Sequence, residues 1–142
     1  ISRYAIERWT VKSSVGFIPA LKREAFSSIL RKLSAGDVCW ARDPTGAHPQ
    51  RPIVVLAHET HPFSATDCSV MCVGTSAGRY QQTTPELKDE HLDGISFNDT
   101  SYLMPWALYT IAPGTIMNGD TKGEITESGR RLLKKSLISL IP

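Results

Sequence analysis

Long apolar runs are absent from this chain of 142 residues. No stretch approaches the roughly 18–20 consecutive apolar residues that a membrane-spanning helix requires. No charged segment followed by an apolar one opens the chain, as it would in a secretion signal. We therefore expect no membrane segment and a cytoplasmic location.

Cysteine is scarce, and its spacing is not that of a zinc site. The three cysteines, Cys39, Cys68 and Cys72, are odd in number and lie inside or beside hydrophobic runs. Such residues are usually reduced core thiols, which fits a cytoplasmic setting. The stretch HETHP at 58–62 resembles a metal-binding pair of histidines, but its proline and the preceding strand argue against the helix that such a pair requires. We expect no metal and no cofactor.

Acidic residues are scarce at both ends of the chain. Residues 1–35 hold seven basic residues against two acidic ones, and residues 128–142 hold four basic residues and no acid. This pattern is typical either of a nucleic-acid-binding face or of the solvated faces of amphipathic helices. The charges alone leave both interpretations open.

Neither disorder nor a fibrous protein is indicated, because 41% hydrophobic and 21% charged residues are ordinary values for a globular domain. The length suits one domain with a proper core and is too short for two ordinary ones. No internal repeat is visible. Within that length we assign residues 1–35 to an N-terminal extension and residues 36–142 to the main domain.

Two amphipathic helices are predicted, one near each end of the chain. Apolar residues at helical spacing predict the first over about 19–34, which begins at Pro19 and ends before Gly36. The second is predicted over about 126–140, with Thr126 as N-cap and with Leu133, Leu137, Leu140 and Ile141 on one face. Gly129 is expected to weaken its first turn.

Short β-prone runs dominate the middle of the chain. The predicted strands cover residues 37–41, 53–57, 69–74 and 101–111. The second run is apolar without interruption, which indicates burial on both faces, and Pro105 makes the last one a bulged or edge strand. A further strand near Tyr80 and a helical turn near 86–92 both remain possible. This order predicts an α+β, mainly β domain built on a small, bent antiparallel barrel.

The stretch GDVCWARDPTGAHPQRPIVVLA, residues 36–57, contains two predicted strands and the long polar loop that connects them. Its Arg42, Asp43, His48 and Arg51 predict one wall of an anion site. Arginine suits phosphate because its planar fork can bind two oxygens and does not deprotonate.

This stretch also resembles the opening of the MazF/PemK family of toxin endoribonucleases, with its Gly-Asp pair, Trp-containing strand, Asp-Pro-Thr-Gly turn, Arg-Pro pair and Val-rich strand. CVGTS at 72–76 is similar to the family's third strand. HETHPF and LMPWALYTI resemble a PemK-like subgroup, and the resemblance covers about 36–140. It implies an SH3-like barrel of the CcdB-MazF type with an N-terminal helical extension and a C-terminal helix.

The resemblance implies a function as well as a fold. It implies the toxin of a type II toxin-antitoxin pair, a homodimer that cuts single-stranded RNA at specific sequences without a metal and is neutralised by a cognate antitoxin. Arg51 and Thr75 would be catalytic, and Ser76 beside Thr75 would bind phosphate. Backbone N–H groups around residues 74–76 suit that role.

RNA cleavage also needs a general base, and here the sequence departs from its relatives. The loop lacks the Glu-Gln that the family often carries before Arg-Pro, and Pro105 and Trp106 stand where some relatives place an acid. His48 has a suitable pKa range and is the candidate. The other candidate substrate-binding residues are Arg42, Asp43, Thr45, Gly46, Arg79 and Tyr80.

Structural alternatives remain for each residue. Arg51 could form a surface ion pair with Asp43 or Asp37, and Thr75 could be a turn residue. One or two of five aromatic residues could stack on unpaired bases, or all of them could belong to the core: Trp40, Tyr80, Tyr102, Trp106 and Tyr109. Two other functions remain open: a non-catalytic module that binds nucleic acid or protein, and a CcdB-like poison of DNA gyrase.

Overall fold

The computed structural model describes residues 33–57, 59–64, 66–76, 83–116 and 123–141. Within them the chain forms seven strands and one α-helix. The strands are β1 (Asp37–Arg42), β2 (Gln50–Ala57), β3 (Cys68–Gly74), β4 (Glu86–Leu87), β5 (Leu92–Asp93), β6 (Ser101–Ile111) and β7 (Gly123–Ile125). The helix, α1, is Glu127–Leu140, and two 3₁₀ helices span Asp89–His91 and Pro113–Thr115.

All paired strands are antiparallel, in the spatial order β4-β6-β3-β2-β1-β7-β5, and form a nearly closed barrel. The mainly β barrel with a C-terminal helix is therefore confirmed. Most of the predicted helix over 19–34 and of the 1–35 extension lies outside the described residues. Leu33 and Ser34, at the end of that prediction, have no regular secondary structure.

The central strands are buried on both faces, as the apolar run in β2 predicts. Ile53 and Val55 belong to one hydrophobic cluster, and Val54 between them belongs to the other. Side chains alternate along a strand, so each face of β2 contributes to a separate cluster. The predicted burial of the three cysteines as free thiols is also confirmed.

The proline in β6 lies at an irregularity of the sheet. Met71 pairs with Leu108, whereas the next residue, Cys72, pairs with Met104, so β6 carries three additional residues there, Pro105 among them. Proline has no N–H to donate and is tolerated where the ladder is interrupted. The predicted bulge is thus confirmed.

The second helix begins where it is predicted. The Thr126 side chain accepts a hydrogen bond from the Gly129 backbone N–H at 3.2 Å, as an N-cap does. Gly129 has a packing reason to be there, because a Cβ at this position would lie 2.5 Å from the His91 carbonyl oxygen. The predicted apolar face is only partly buried: Leu133 is buried, whereas Leu140 and Ile141 are 38% and 73% exposed.

Three strands escape the sequence analysis. β4, β5 and β7 have only two or three residues each. The possible helical turn near 86–92 corresponds to the 3₁₀ helix Asp89–His91, and the possible strand near Tyr80 lies outside the described residues. No helix in the described ranges is long and apolar enough to cross a membrane.

Candidate functional site

A cleft of about 600 Å³ lies where β2 begins and β3 ends. The residues that line it come mainly from the loop between β1 and β2, the end of β3, the loop before β6 and β6 itself. They are Trp40, Thr45, Ala47, His48, Gln50, Arg51, Pro52, Val73, Gly74, Thr75, Ser76, Phe97, Asn98, Asp99, Ser101, Met104, Trp106 and Tyr109. A volume of this size is within the range of small-ligand sites.

The loop between β1 and β2 is organised by the carboxylate of Asp43. This carboxylate accepts hydrogen bonds from the Thr45 backbone N–H at 2.9 Å, the Thr45 hydroxyl at 2.7 Å and the His48 backbone N–H at 2.9 Å. Gly46 completes the turn with a φ of +78°, a conformation that glycine adopts at no steric cost. The long loop is thus a compact turn with an internal anion.

Arg51 completes the coordination of that anion. Its Nε donates to Asp43 Oδ1 at 2.9 Å and its Nη2 donates to Oδ2 at 3.1 Å, a bidentate ion pair. The Asp43 side chain is 0% exposed and that of Arg51 is 10% exposed. The ion pair that the sequence offers as an alternative therefore exists, but it is buried rather than on the surface.

The hydrogen bonds decide the charge state of Asp43. Burial alone would raise the pKa of this carboxyl, but hydrogen bonds from Arg51, Thr45 and His48 outweigh burial and hold its pKa well below the usual range. Asp43 is therefore a carboxylate at neutral pH. Its charge holds the guanidinium of Arg51 at the wall of the cleft.

The third nitrogen of the guanidinium contacts β3 and β6. Nη1 donates to the Val73 carbonyl oxygen at 3.1 Å and lies 3.6 Å from Met104 Sδ. Gly74 makes room for this arrangement, because a Cβ there would lie 2.8 Å from Nη1 and 2.7 Å from Met104 Sδ. Three of the five N–H donors of Arg51 therefore meet oxygen acceptors of described residues.

The cleft brings together five of the predicted site residues. Thr75 and Ser76 are exposed at the end of β3, and Thr45 and His48 come from the loop beside Arg51. The arrangement offers hydroxyls, an imidazole and a guanidinium to a single ligand.

Other predicted residues lie elsewhere. Arg42 and Gly46 are exposed and do not line the cleft, and Asp43 is enclosed and offers no surface to a ligand. Arg79 and Tyr80 lie outside the described residues. The distinct contribution of Asp43 is the orientation of Arg51.

The sequence does not single out Asp99, which is exposed in the loop before β6 and adds a carboxylate to the cleft, or Phe97, which adds aromatic surface. Trp40, Trp106 and Tyr109, three of the aromatic residues considered for base stacking, also line the cleft. The signal for Trp106 is its position directly after Pro105, where a bulge can redirect a side chain. Nothing in the spacing of Asp99 indicates the cleft.

The described residues hold no group of three or more His, Cys, Asp or Glu side chains that could bind a metal. The thiols are also unsuited to nucleophilic chemistry. Burial, with nearby negative charge, raises the pKa of Cys39 to about 12, and burial is the main reason that the pKa values of Cys68 and Cys72 rise to about 11. The groups that the cleft lining offers for chemistry include hydroxyls, an imidazole, a guanidinium and a carboxylate.

Comparison with known proteins identifies the fold. No family model matches the chain. No curated protein matches it either. Among solved structures, the chain is similar to a mycobacterial endoribonuclease in complex with its cognate antitoxin, with a TM-score of 0.56 and 16% identity over 77% of this chain and 93% of that one.

It is similarly close to the Mycobacterium tuberculosis toxin MazF-mt6, with a TM-score of 0.56 and 17% identity over 73% of this chain and 95% of that one.

Proposed function

Starting from the MazF-like toxin fold, we propose that this protein is the toxin of a type II toxin-antitoxin pair, an endoribonuclease that cleaves single-stranded RNA at specific sequences without a metal. The observation that carries the proposal is the guanidinium of Arg51, which Asp43 holds in a bidentate ion pair. Arg51 lines the cleft together with Thr75, Ser76 and His48. These groups supply what phosphodiester cleavage requires.

Arg51 stabilises the negative charge that develops on the scissile phosphate. The pair with Asp43 occupies its Nε edge, and Nη1 contacts the Val73 carbonyl oxygen and Met104 Sδ, so the second N–H of Nη2 is the donor left for a phosphate oxygen. The Thr75 hydroxyl donates a further hydrogen bond to the same phosphate. Because Asp43 already fixes the guanidinium, little reorganisation is needed when the substrate binds.

His48 acts as the general base. Its imidazole takes the proton of the ribose 2′-hydroxyl, whose oxygen attacks phosphorus while the bond to the 5′-oxygen breaks. The leaving 5′-oxygen takes up a proton from solvent water, and the products end in a 2′,3′-cyclic phosphate and a 5′-hydroxyl. Asp99 offers a second base in the same cleft.

A non-catalytic nucleic-acid-binding module is the second candidate. The observation that favours it is the limited exposure of Arg51, whose charge is already compensated by Asp43. Such a protein would bind RNA in the cleft and release it uncut.

The assay that separates these functions is incubation of a long, mixed-sequence RNA with the purified protein in EDTA, followed by mapping of the new ends. Discrete cuts with 5′-hydroxyl ends are expected. In Thr75→Ala they should become much slower, whereas Thr60→Ala, which removes an exposed threonine outside the cleft lining, should cut at the natural rate. Intact RNA after incubation with a folded, antitoxin-free protein would leave only the binding module.

The proposal extends to partners and location. We infer a cytoplasmic homodimer that a cognate antitoxin neutralises, in line with the antitoxin named in the similar mycobacterial complex. Ile138 and Ile141 at the end of α1 are 69% and 73% exposed and offer apolar surface to a partner. Light scattering should give twice the mass of the chain, and a monomer at micromolar concentration would contradict the dimer.

A further inference from the structure

Aromatic side chains form part of the cleft wall. Trp106 is 50% exposed and Tyr109 is 38% exposed, and both line the same cleft as Arg51 and Thr75. Burial of a tryptophan in a core is strongly favourable because its apolar area is large. A half-exposed tryptophan at the mouth of a cleft is therefore unexplained by packing.

Trp106 lies at the bulge in β6. Met104, which contacts Arg51 Nη1 through its sulfur at 3.6 Å, pairs with Cys72, and the pairing resumes only at Leu108. Residues 105–107 between these pairs are released from the ladder. Trp106 thus lies two residues along the chain from a direct contact of the guanidinium.

A second aromatic pair lies in the same cleft. The rings of Trp40 and Phe97 meet edge to face, with centroids 6.5 Å apart and planes at 75°. Phe97 also packs against the hydrophobic cluster of Val54 and Leu133. The aromatic wall therefore has a fixed part and an exposed part.

We propose that Trp106 forms a nucleobase subsite, in which its indole stacks on an unpaired base of the RNA whose phosphate lies at Arg51. This inference deepens the proposed function and rests on it in one respect, that the ligand of the cleft is RNA. A ligand for this cleft must combine an anion with a flat apolar group, and a nucleotide has both. The volume of about 600 Å³ suits one or two nucleotides rather than a protein segment with secondary structure.

Stacking has a consequence for substrate class. A base can reach Trp106 only when it is unstacked from its neighbours, so single strands and loops fit and a continuous duplex does not. Because every base has a π face, this subsite selects strandedness more than sequence.

The test is binding of a fluorescein-labelled, single-stranded 2′-O-methyl RNA, measured by anisotropy in EDTA. The methyl group blocks the attacking oxygen, so binding is measured without cleavage. Trp106→Ala should weaken binding about 5- to 150-fold, the range for loss of one stacked base. Trp106→Phe should recover most of the affinity because it keeps an aromatic face.

Leu108→Ala is the matched control. Leu108 is on the same strand and 47% exposed, but it does not line the cleft. Its variant should bind within about twofold of the natural protein. The salt dependence of binding should be the same in Trp106→Ala as in the natural protein, because no phosphate contact is removed.

Two results would overturn the subsite: unchanged RNA affinity in a folded Trp106→Ala, or equal losses of affinity in Trp106→Ala and Leu108→Ala. Unchanged affinity together with a change in the mass of the assembly would assign Trp106 to a protein interface. Binding is measured separately from cleavage. If the protein binds RNA through Trp106 but leaves natural RNA intact, the result contradicts the proposed endoribonuclease activity and leaves the nucleobase subsite standing.

Discussion

At the scale of single residues, the site depends on one buried carboxylate. Asp43 accepts hydrogen bonds from Thr45, His48 and Arg51 and has no exposed side-chain surface. The sequence places Asp43 and Arg51 close together but does not indicate that Asp43 orients the guanidinium while Arg51 faces the ligand. Both residues have the chemistry of surface ligand-binding residues. Both are buried, but only Arg51 lines the cleft, and the cleft depends on strands far along the chain.

Asp43→Ala should destabilise the protein by about 3–5 kcal/mol at neutral pH, because it leaves the guanidinium of Arg51 buried without its partner. Urea unfolding measures the change. Asp93→Ala, which removes an exposed carboxylate from β5, should stay within about 0.5 kcal/mol of the natural protein. Equal unfolding midpoints for the natural protein and Asp43→Ala would contradict the structural role.

The contribution of Asp43 should depend on pH. Because its pKa is lower in the folded than in the unfolded protein, its stabilisation is fully present above the unfolded-state value of about 3.9 and is lost as the pH falls below it. The difference in unfolding free energy between the natural protein and Asp43→Ala should therefore be constant from about pH 7 to 5 and shrink below about pH 4. A constant difference down to pH 3 would contradict this linkage.

The three cysteines give another residue-scale prediction. With thiol pKa values raised to about 11 or 12 by burial, the native protein should react very slowly with a thiol-specific disulfide reagent at pH 8. All three thiols should react after unfolding in urea. A thiol that reacts rapidly in the native state would show that one of these side chains is accessible.

At the scale of elements, strand ends rather than strand interiors build the site. β3 ends at Gly74, and the missing side chain there admits both Arg51 Nη1 and Met104 Sδ. A glycine at a strand end is an unremarkable sequence signal, typical of a turn. Its packing role becomes visible only when β2 and β6 are placed on either side of β3.

Gly74→Ala should displace the guanidinium of Arg51, at a cost of about 1–3 kcal/mol for the added methyl group. RNA cleavage should fall up to about 100-fold, because small misplacements of catalytic groups are costly. The control is Gly114→Ala, where a Cβ meets no atom within 4 Å. Equal cleavage rates for the two variants would contradict the packing role of Gly74.

The predictability of elements follows their length. β1, β2, β3, β6 and α1 are visible in the sequence because each has enough residues to show a pattern or a cap. β4, β5 and β7 owe their extended conformation to their partners: Leu92 pairs with Ile125, and Glu86 pairs with Tyr102. Two or three residues carry no periodicity, so sequence alone cannot find such strands.

At the scale of the whole molecule, the cleft joins parts of the chain that are far apart in sequence. The wall formed by residues 45–51 is contiguous and could be predicted from its composition and from its resemblance to a family. Asp99 and Trp106 join it only because β6 pairs with β3. Of these two residues, Trp106 could be named from the sequence only as one of several aromatic candidates for stacking, and no local signal indicates Asp99.

The central claim is that the guanidinium of Arg51 stabilises the scissile phosphate. The direct measurement is the single-turnover rate of RNA cleavage in EDTA by the natural protein and by Arg51→Lys, with unfolding of both followed in parallel. Lysine keeps a positive charge beside Asp43, which Arg51→Ala would leave unpaired, but lysine lacks the planar fork.

The account predicts that Arg51→Lys folds and cuts about 100- to 1,000-fold more slowly than the natural protein, the effect expected for loss of one preorganised donor group. Cleavage at the natural rate by a folded Arg51→Lys would contradict it.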